Sequence, residues 1–342
     1  TIRTLNLYNS PPMFKLLLST FLLSITCFSV SFAQSGHVAI EWNEQVLEAI
    51  RNDFARPTIH ARNLIHSSAI MYDCWAAYDT TSSKQYFLGN SIGGFDIEFD
   101  FDNFAPNIPA NSMDKIMAQE VAMSYGVYRL IKHRYMDSPQ SVATMLNINH
   151  QMAFQGLDTL VVSTDYLNDG PAALGNYIAE QVIAFGLQDG SNEVNDYGNL
   201  CYTSNNPNIL PENPGTGGIV DPNSWQPIEL SVAIDQSGEL ITEVPPFLGP
   251  EWGNVQGFAL RDSNLTQLTR DACLYNTYHN PGPPVYLDTT VASNFDESDY
   301  KWGFGMVLKW SEHLDPFDGV MWDISPASLK YNGETPDVEG FD

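Results

Sequence analysis

Helical periodicity in the first half of the chain constrains its fold more than any other feature. Apolar residues recur at three- and four-residue spacing at Val46, Leu47, Ile50 and Phe54, which predicts a short amphipathic helix. Proline suits the first turn of a helix, so Pro57 predicts the start of a second one. Its predicted apolar face comprises Ile59, Leu64, Ile65, Ala69, Tyr72, Trp75 and Ala76. Apolar residues surround most of this helix from Ala69 to Ala77, so that end is expected to be buried.

Three further segments between residues 112 and 190 carry the same signal. Ser112 is the predicted cap of a helix that runs through Tyr135. Another helix is predicted from Ser138-Pro139 to Gly156, and a third from Pro171 to the region of Gly186 and Gly190. Because the links are short, neighbouring helices are expected to be antiparallel. The sequence therefore predicts a mainly α protein built as a helical bundle.

The rest of the chain predicts irregular structure and little sheet. From Gly93 to Pro109, Phe95, Ile97, Phe99 and Phe101 alternate with acids, which favours an extended strand with an acidic, solvated face over a calcium site. Residues 191–227 are rich in Asn, Pro and Gly and predict a long structured loop that Tyr197, Tyr202 and Trp225 can anchor. A small β-hairpin is predicted over residues 228–241. A last helix is predicted from Glu297 to His313, and Ser325-Pro326 resembles the cap of another.

The N-terminal region has the pattern of a secretory signal peptide. Met13-Phe14-Lys15 precedes an apolar run, and the small residues Ser31 and Ala33 suit cleavage before Gln34. The run is shorter than the roughly 20 residues that span a bilayer. We therefore interpret residues 1–12 as upstream read-through, 13–33 as the signal peptide and 34–342 as the exported protein. The expected location is the periplasm or the extracellular space.

Charge and cysteine content limit the partners of the exported chain. The formal net charge is −26, and such a surface repels nucleic acids and anionic membranes. Cys74, Cys201 and Cys273 follow the signal peptide without any Cys-x-x-Cys pair, which argues against structural zinc. An exported chain can form one disulfide, and the sequence leaves its pairing open. For Cys273, a buried structural thiol is the default interpretation.

Basic residues concentrate in one short region. This region contains Arg51, Arg56, His60, Arg62 and His66. They could face an anion, but ion pairs with Asp53, Glu48 and Asp73 explain them as well and are the interpretation we favour. The other histidines are isolated in the sequence, and we expect them at surface or capping positions: His133, His150, His279 and His313.

Three blocks of sequence carry a family resemblance. The first begins at Trp42-Asn43 and includes Ala61-Arg62-Asn63-Leu64 and the run from Ala69 to Tyr78. The second comprises Asp221-Pro222-Asn223-Ser224-Trp225-Gln226-Pro227 and the run from Pro246 to Val255. The third runs from Trp310 to Pro326. Over residues 41–330 the chain resembles the N-terminal half of bacterial vanadium-dependent haloperoxidase-like proteins of the type 2 phosphatidic acid phosphatase superfamily.

The resemblance implies an all-α oxidoreductase whose second half holds vanadate. With hydrogen peroxide, such an enzyme oxidises halide and modifies a small organic substrate. The expected vanadate ligands are a Lys, an Arg-Pro, a Ser-Gly-His and a later Arg followed by a His. Arg56-Pro57 lacks a suitably placed Lys before it, so we do not assign it to this series. Ser35-Gly36-His37 follows the predicted cleavage site, at an expected chain end, so we interpret it as a chance match. We therefore assign no catalytic, cofactor-binding or metal-binding residue and expect this chain alone to be inactive.

Two alternatives remain open from the sequence. Some members of the superfamily are acid phosphatases, which use the same kind of oxyanion site. A different class is a non-enzymatic, glycan-binding helical protein that uses tryptophans as stacking platforms. The candidate platforms are Trp225, Trp252, Trp302, Trp310 and Trp322.

Overall fold

The computed structural model describes most of the chain after residue 37. The described residues are 38–79, 81, 84–213, 218–234, 238, 240–241, 244–282, 284–287, 299–312, 314–315, 317 and 319. The predicted signal peptide, Ser35-Gly36-His37, His313, Trp322 and Ser325-Pro326 lie outside them. Within the described part of the chain, no helix combines the length and apolarity needed to cross a membrane.

The chain is mainly helical, as predicted, and divides into two compact units. Unit 1 contains residues 1–199, 234–240 and 254–259, and unit 2 contains residues 200–233, 241–253 and 260–342. The helices of unit 1 are α1 (Val38–Arg51), α2 (Pro57–Ala76), the short α3 (Phe101–Phe104), α4 (Ser112–Tyr135), α5 (Ser141–Phe154) and α6 (Gly170–Gly186). Unit 2 contains α7 (Asp299–Ser311).

Helix α1 begins earlier than predicted and buries a different face. Its buried residues are Trp42, Val46 and Ala49, and Trp42 Nε1 donates a hydrogen bond to Ser124 Oγ at 2.9 Å. The prediction was wrong for Leu47, which is 37% exposed and lies outside the buried face. It was also wrong for Phe54, which follows the helix and is exposed. The large Trp42 ring, one helical turn before Val46, determines which side faces the core.

Helix α2 starts at Pro57, as predicted, but its buried side is more polar than expected. Ile59, Ala69 and Ala76 are buried, whereas the aromatic rings of Tyr72 and Trp75 are about 40% exposed. The polar residues buried along this helix are His60, Arg62, Asn63, His66, Ser67 and Asp73. The prediction failed here because ion pairs and hydrogen bonds compensate for the cost of burying these polar side chains. The spacing of apolar residues in the sequence contains no information about such partners.

Helices α4 and α6 approach each other closely at a pair of glycines. An added Cβ on Gly175 would lie 2.1 Å from the carbonyl oxygen of Ala122, and one on Gly126 would lie 2.5 Å from Ile70 Cγ2. Asn111, rather than the predicted Ser112, caps α4 because its side chain accepts a hydrogen bond from Met113 N at 2.8 Å. The glycines therefore set the spacing of the central helices.

The segment predicted as an extended strand is mostly not one. Strand β1 (Ser91–Ile92) pairs antiparallel with β2 (Phe95–Asp96) across a turn at Gly93 and Gly94. The chain then enters α3 because Asp100 caps it, accepting a hydrogen bond from Asn103 N at 3.0 Å. The segment of alternating apolar and acidic residues therefore contains a strand of only two residues, β2, and its acid at position 100 serves as a helix cap.

Unit 2 contains an irregular loop region and one regular hairpin. Strands β3 (Thr266–Arg270) and β4 (Cys273–Thr277) pair antiparallel, with Asp271 and Ala272 at φ 50° and 66° in the turn. The hairpin predicted over residues 228–241 is confirmed only next to its turn, where Ile241 N donates a hydrogen bond to the carbonyl oxygen of Ala233 at 2.9 Å. In the described residues of that stretch, the antiparallel pairing is the single bridge between Ile234 and Leu240. Ile228 instead forms a parallel bridge with Ile209.

Side chains of the second resemblance block hold the loops of unit 2. The Glu251 carboxylate accepts hydrogen bonds from the backbone N–H groups of Leu200, Cys201 and Tyr202 at 3.0, 2.8 and 2.8 Å. The Trp225 ring packs on Phe247, with 5.2 Å between ring centroids. These contacts confirm the expectation of a structured loop, in which side chains satisfy backbone donors.

Candidate functional site

Ionisable side chains from three parts of unit 1 meet in its interior. Helix α2 supplies Arg62 and His66, the last turn of α4 supplies Arg134, and the loop after α6 supplies Asp189 and Glu193. We call these five residues the buried charge cluster. Charged groups are rarely buried without partners, so their contacts decide what the cluster can do.

Arg62 is the centre of the cluster. Its Nε lies 2.6 Å from Asp189 Oδ2, and its Nη2 lies 2.6 Å from Glu193 Oε2. Nη2 also donates to the carbonyl oxygen of Gly186 at 2.9 Å, and the side chain is only 3% exposed. Charge-assisted contacts of this length are strong in a dry environment.

Arg134 occupies the neighbouring position, and its side chain is completely buried. Its Nη1 donates to Asn63 Oδ1 at 3.0 Å, and its Nη2 lies 2.7 Å from His66 Nδ1. Its Nε lies 3.4 Å from Glu193 Oε1. Glu193 therefore bridges both guanidinium groups, and His133 Nε2 contacts the same carboxylate at 3.2 Å.

Burial and charge fix the protonation states in the cluster. Burial opposes ionisation of Glu193, but the hydrogen bond from His133 and the charges of Arg134 and Arg62 outweigh it and lower its pKa to about 2. Burial, followed by the charges of Arg134 and Arg62, holds the pKa of His66 well below its usual value. His66 is therefore neutral, and its Nδ1 accepts from Arg134.

The loop that carries the two carboxylates has an unusual backbone. Asn192, Asp196 and Tyr197 adopt φ values of 60°, 49° and 61°. Asn and Asp tolerate this left-handed region, whereas Tyr does so only when its surroundings hold it there. The Tyr197 ring lies against the guanidinium groups of Arg56 and Arg62 at 5.2 and 5.8 Å. These cation–π contacts stabilise the loop conformation that presents Glu193.

A cavity of about 340 Å³, which we call the polar cavity, lies beside the cluster. Asp53, Phe54 and Arg56 line it from the connection between α1 and α2. The remaining lining residues are His133, Arg134, Asp137, Ser138, Leu187, Glu193, Val194, Asp196 and Tyr197. Its size is that of small-molecule sites in general.

The described residues do not fit vanadate or phosphate. An oxyanion site needs several unneutralised donors that converge on one point. Arg56 is already paired with Asp196 at 2.8 Å, and Arg62 and Arg134 share Glu193. Nε of Arg56 and Nη1 of Arg62 are buried without hydrogen-bond partners among the described residues, but each guanidinium group is already paired with a carboxylate, so neither charge is unneutralised. We therefore derive no step that involves vanadate from these residues.

The remaining residues of the basic region form ion pairs or hydrogen bonds with their neighbours. Arg51 is exposed and contacts Glu44 and Glu48, each at 2.8 Å. His60 Nε2 lies 2.7 Å from the carbonyl oxygen of Phe54. The predicted pairings with Glu48 and Asp53 are confirmed, since Arg56 Nη2 lies 3.6 Å from Asp53 Oδ2.

The predicted pairing with Asp73 was wrong. Its buried carboxylate instead accepts hydrogen bonds from the backbone N–H groups of Tyr86, Phe87 and Leu88. Among the described residues, no group of three or more His, Cys, Asp or Glu side chains is arranged to hold a metal ion.

Sequence reasoning missed the partners that matter most. Asp189 and Glu193 lie 127 and 131 residues from Arg62, so nothing local in the sequence points to them. His133 was expected at a surface or capping position; its side chain is partly exposed and also contacts Glu193. His150 and His279 are exposed, as expected. The one local signal was the basic last turn of α4, where Arg134 lies.

The cysteines form one disulfide in unit 2. Cys201 is bonded to Cys273, and Cys74 is a buried free thiol in α2. The default interpretation of Cys273 as a buried thiol was therefore wrong. The bond joins the start of the irregular loop region to the β3–β4 hairpin.

A second concave surface of unit 1 is apolar. This groove of about 410 Å³ is lined by Leu64, Ile65, Ser68, Ala69, Tyr72, Tyr86 and Phe258. The rings of Tyr86 and Phe258 lie 5.3 Å apart. The groove explains why Ile65 and Tyr72, which were predicted in the core, remain partly exposed.

Comparison with known proteins adds no assignment to this geometry. The chain matches no protein-family model and no curated protein.

Proposed function

We propose that this chain is the structural, helical portion of an exported vanadium-dependent haloperoxidase-like enzyme. In this proposal, peroxide-driven halide oxidation belongs to the intact enzyme, and vanadate is held by residues other than those described. The proposal rests on one observation: the residues that carry the resemblance maintain structure.

Contacts in the first resemblance block support a structural role. Trp42 is fully buried and donates to Ser124, and the Asp73 carboxylate binds three consecutive backbone N–H groups. Asn63 donates to Tyr135 Oη at 2.9 Å and accepts from Arg134. Such contacts specify a fold because they satisfy buried polar groups.

Contacts in the second block support the same role. Glu251 holds three backbone N–H groups, and an added Cβ on Gly253 would lie 1.8 Å from the carbonyl oxygen of Asn276. Only glycine permits that approach. The Cys201–Cys273 disulfide supports export, because disulfides persist in oxidising compartments.

A halide-oxidation assay tests the proposal. The purified chain would be incubated with orthovanadate, bromide, hydrogen peroxide and a chromogenic bromine acceptor. We expect no bromination by this chain and vanadate-dependent bromination by the product of the whole gene. Vanadate-dependent bromination by the 342-residue chain alone would contradict the structural role.

The same preparations distinguish the alternatives. Release of phosphate from a phosphomonoester by the whole gene product, without bromination, would replace the haloperoxidase with a phosphatase. If neither reaction occurs and oligosaccharides raise the melting temperature of the chain, glycan binding is the better description.

A further inference from the structure

We propose that the polar cavity binds a small organic cation, an ammonium or guanidinium group on a short apolar body. This inference is independent of the proposed function, because every residue that lines the cavity belongs to unit 1 and none is assigned to halide chemistry. Three described features support it: the balance of charge, one uncommitted carboxylate and apolar walls.

The charge balance in the cavity favours a cation. Two arginines line it, and both are paired with carboxylates: Arg56 Nη1 lies 2.8 Å from Asp196 Oδ1, and Arg134 Nε lies 3.4 Å from Glu193 Oε1. Asp53 and Asp137 also line the cavity, so its lining contains four acids and two arginines. Arg62 contacts Glu193 from outside the lining, but it is also paired with Asp189, so acids still exceed arginines when both are counted. The net charge of −26 for the whole chain adds a field that concentrates cations.

Asp137 is the carboxylate that can bind the ligand. It is exposed at the cavity, directly after α4, and no described residue forms an ion pair or a hydrogen bond with its side chain. A carboxylate that is free in this way offers a charge-assisted hydrogen bond to an ammonium or guanidinium N–H group.

The walls favour an organic cation over a metal ion. The side chains of Phe54, Leu187 and Val194 line the cavity, and all three are substantially exposed. Burying this apolar surface against the apolar body of a ligand removes it from water, which favours binding. The described residues also lack a group of three donors that could hold a metal ion.

Isothermal titration calorimetry with a matched series of probes tests the proposal. The probes are 2-phenylethylammonium, neutral 2-phenylethanol and anionic 3-phenylpropanoate, which share a ring and a short chain. For the full chain at pH 7 and low ionic strength, we expect saturable binding of the ammonium and none of the other two. Absence of saturable ammonium binding, or equal binding of 3-phenylpropanoate, would overturn the proposal.

Substitutions at Asp137 connect binding to the cavity. Because the side chain is exposed, Asp137→Asn and Asp137→Lys should fold normally, which far-UV circular dichroism checks. We expect Asp137→Asn to weaken ammonium binding by about tenfold, the range of one charge-assisted hydrogen bond, and Asp137→Lys to abolish it.

Glu180→Gln is the matched control. Glu180 is an exposed acid on α6 that does not line the cavity, so its removal should leave ammonium affinity unchanged. An equal loss in Glu180→Gln and Asp137→Asn would assign binding to the overall charge and refute a site. Unchanged affinity in Asp137→Lys would do the same.

Discussion

Glu193 holds the buried charge cluster together because it contacts Arg62, Arg134 and His133 at once. Replacing it with glutamine keeps the shape but leaves two buried guanidinium groups without their shared counter-charge. Removing one partner of a buried pair typically costs about 3–5 kcal/mol. We therefore expect Glu193→Gln to lower the free energy of unfolding of unit 1 by this amount, measured by urea denaturation at pH 7.

The same residue gives unit 1 a specific pH dependence. The pKa of Glu193 is lowered from 4.5 to about 2 in the folded state, so its contribution is complete above about 4.5 and is lost as the pH falls towards about 2. Unfolding free energies across this window should fall less steeply in Glu193→Gln than in the unsubstituted chain. Glu180→Gln should keep the original slope, and equal slopes in all three proteins would contradict the role of Glu193.

Asp73 is the second residue whose removal should be costly. Its two carboxylate oxygens accept three backbone hydrogen bonds, from Tyr86 at 2.6 Å, Phe87 at 2.7 Å and Leu88 at 3.0 Å. In Asp73→Asn one oxygen becomes an NH₂ group that faces N–H donors, so we expect a loss of about 2–3 kcal/mol in urea denaturation. The exposed Asp137→Asn should change stability by less than about 0.5 kcal/mol. Equal effects would show that the Asp73 contacts contribute little.

At the scale of elements, the crossing of α4 and α6 depends on Gly175. An added Cβ would lie 2.1 Å from the backbone carbonyl oxygen of Ala122, and a backbone atom cannot move away as a flexible side chain can. We expect Gly175→Ala to destabilise unit 1 by about 1–3 kcal/mol in thermal or urea denaturation, although alanine is the better helix former.

Two other glycines provide controls for this prediction. At Gly126 the obstacle is Ile70 Cγ2, a side-chain atom, so Gly126→Ala should be less harmful than Gly175→Ala. At Gly303 in α7 the added Cβ would meet no atom of another described residue within 4 Å, apart from its own helical turn, so Gly303→Ala should be neutral or slightly stabilising. A neutral Gly175→Ala would mean that the two helices are free to move apart.

The helices were predictable from the sequence, and the principal hairpin was not. The spacing of apolar residues and the positions of prolines located α2 and α6, because burial of one helical face requires apolar residues every three or four positions. All residues of β3 are exposed, so this strand imposes no alternation that a sequence could reveal. Its turn is formed by Asp271 and Ala272 without a glycine, which removes the usual hairpin signal.

The candidate site was less predictable than the fold. Ion pairs within a helix or its neighbour, such as Arg51 with Glu48, follow from local spacing. The contacts of Arg62 depend on a loop more than one hundred residues away, whose positive φ values at Asn192 and Tyr197 have no sequence signature strong enough to identify. Tertiary packing alone brings these groups together.

At the scale of the whole molecule, the two units are stabilised differently. Every buried hydrophobic residue of the described chain lies between Trp42 and Phe185, in unit 1. Unit 2 relies on hydrogen bonds such as those to Glu251 and on the Cys201–Cys273 disulfide, whose cysteines are 72 residues apart. A cross-link of that span stabilises by about 4 kcal/mol in the chain-entropy model.

Reduction should therefore affect the units unequally. We expect a thiol reductant, or Cys201→Ser with Cys273→Ser, to expose residues 200–233 and 260–287 to protease while residues 38–186 stay protected. Limited proteolysis with mass spectrometry measures this. Cys74→Ser is the control, because it removes a buried thiol of unit 1 without breaking the disulfide. It should leave unit 2 resistant to protease. Resistance of unit 2 in the double variant would show that its hydrogen bonds suffice.

The return of residues 254–259 to unit 1 affects how the protein can be made. Gln256 N donates to the carbonyl oxygen of Asp189 at 2.8 Å, and an added Cβ on Gly190 would lie 2.1 Å from the carbonyl oxygen of Asn254. A nascent chain that has emerged from the ribosome only as far as Asn199 still lacks residues 254–259. The helices can collapse early during translation, but the edge next to Asp189 closes only after residues 200–253 have been synthesised.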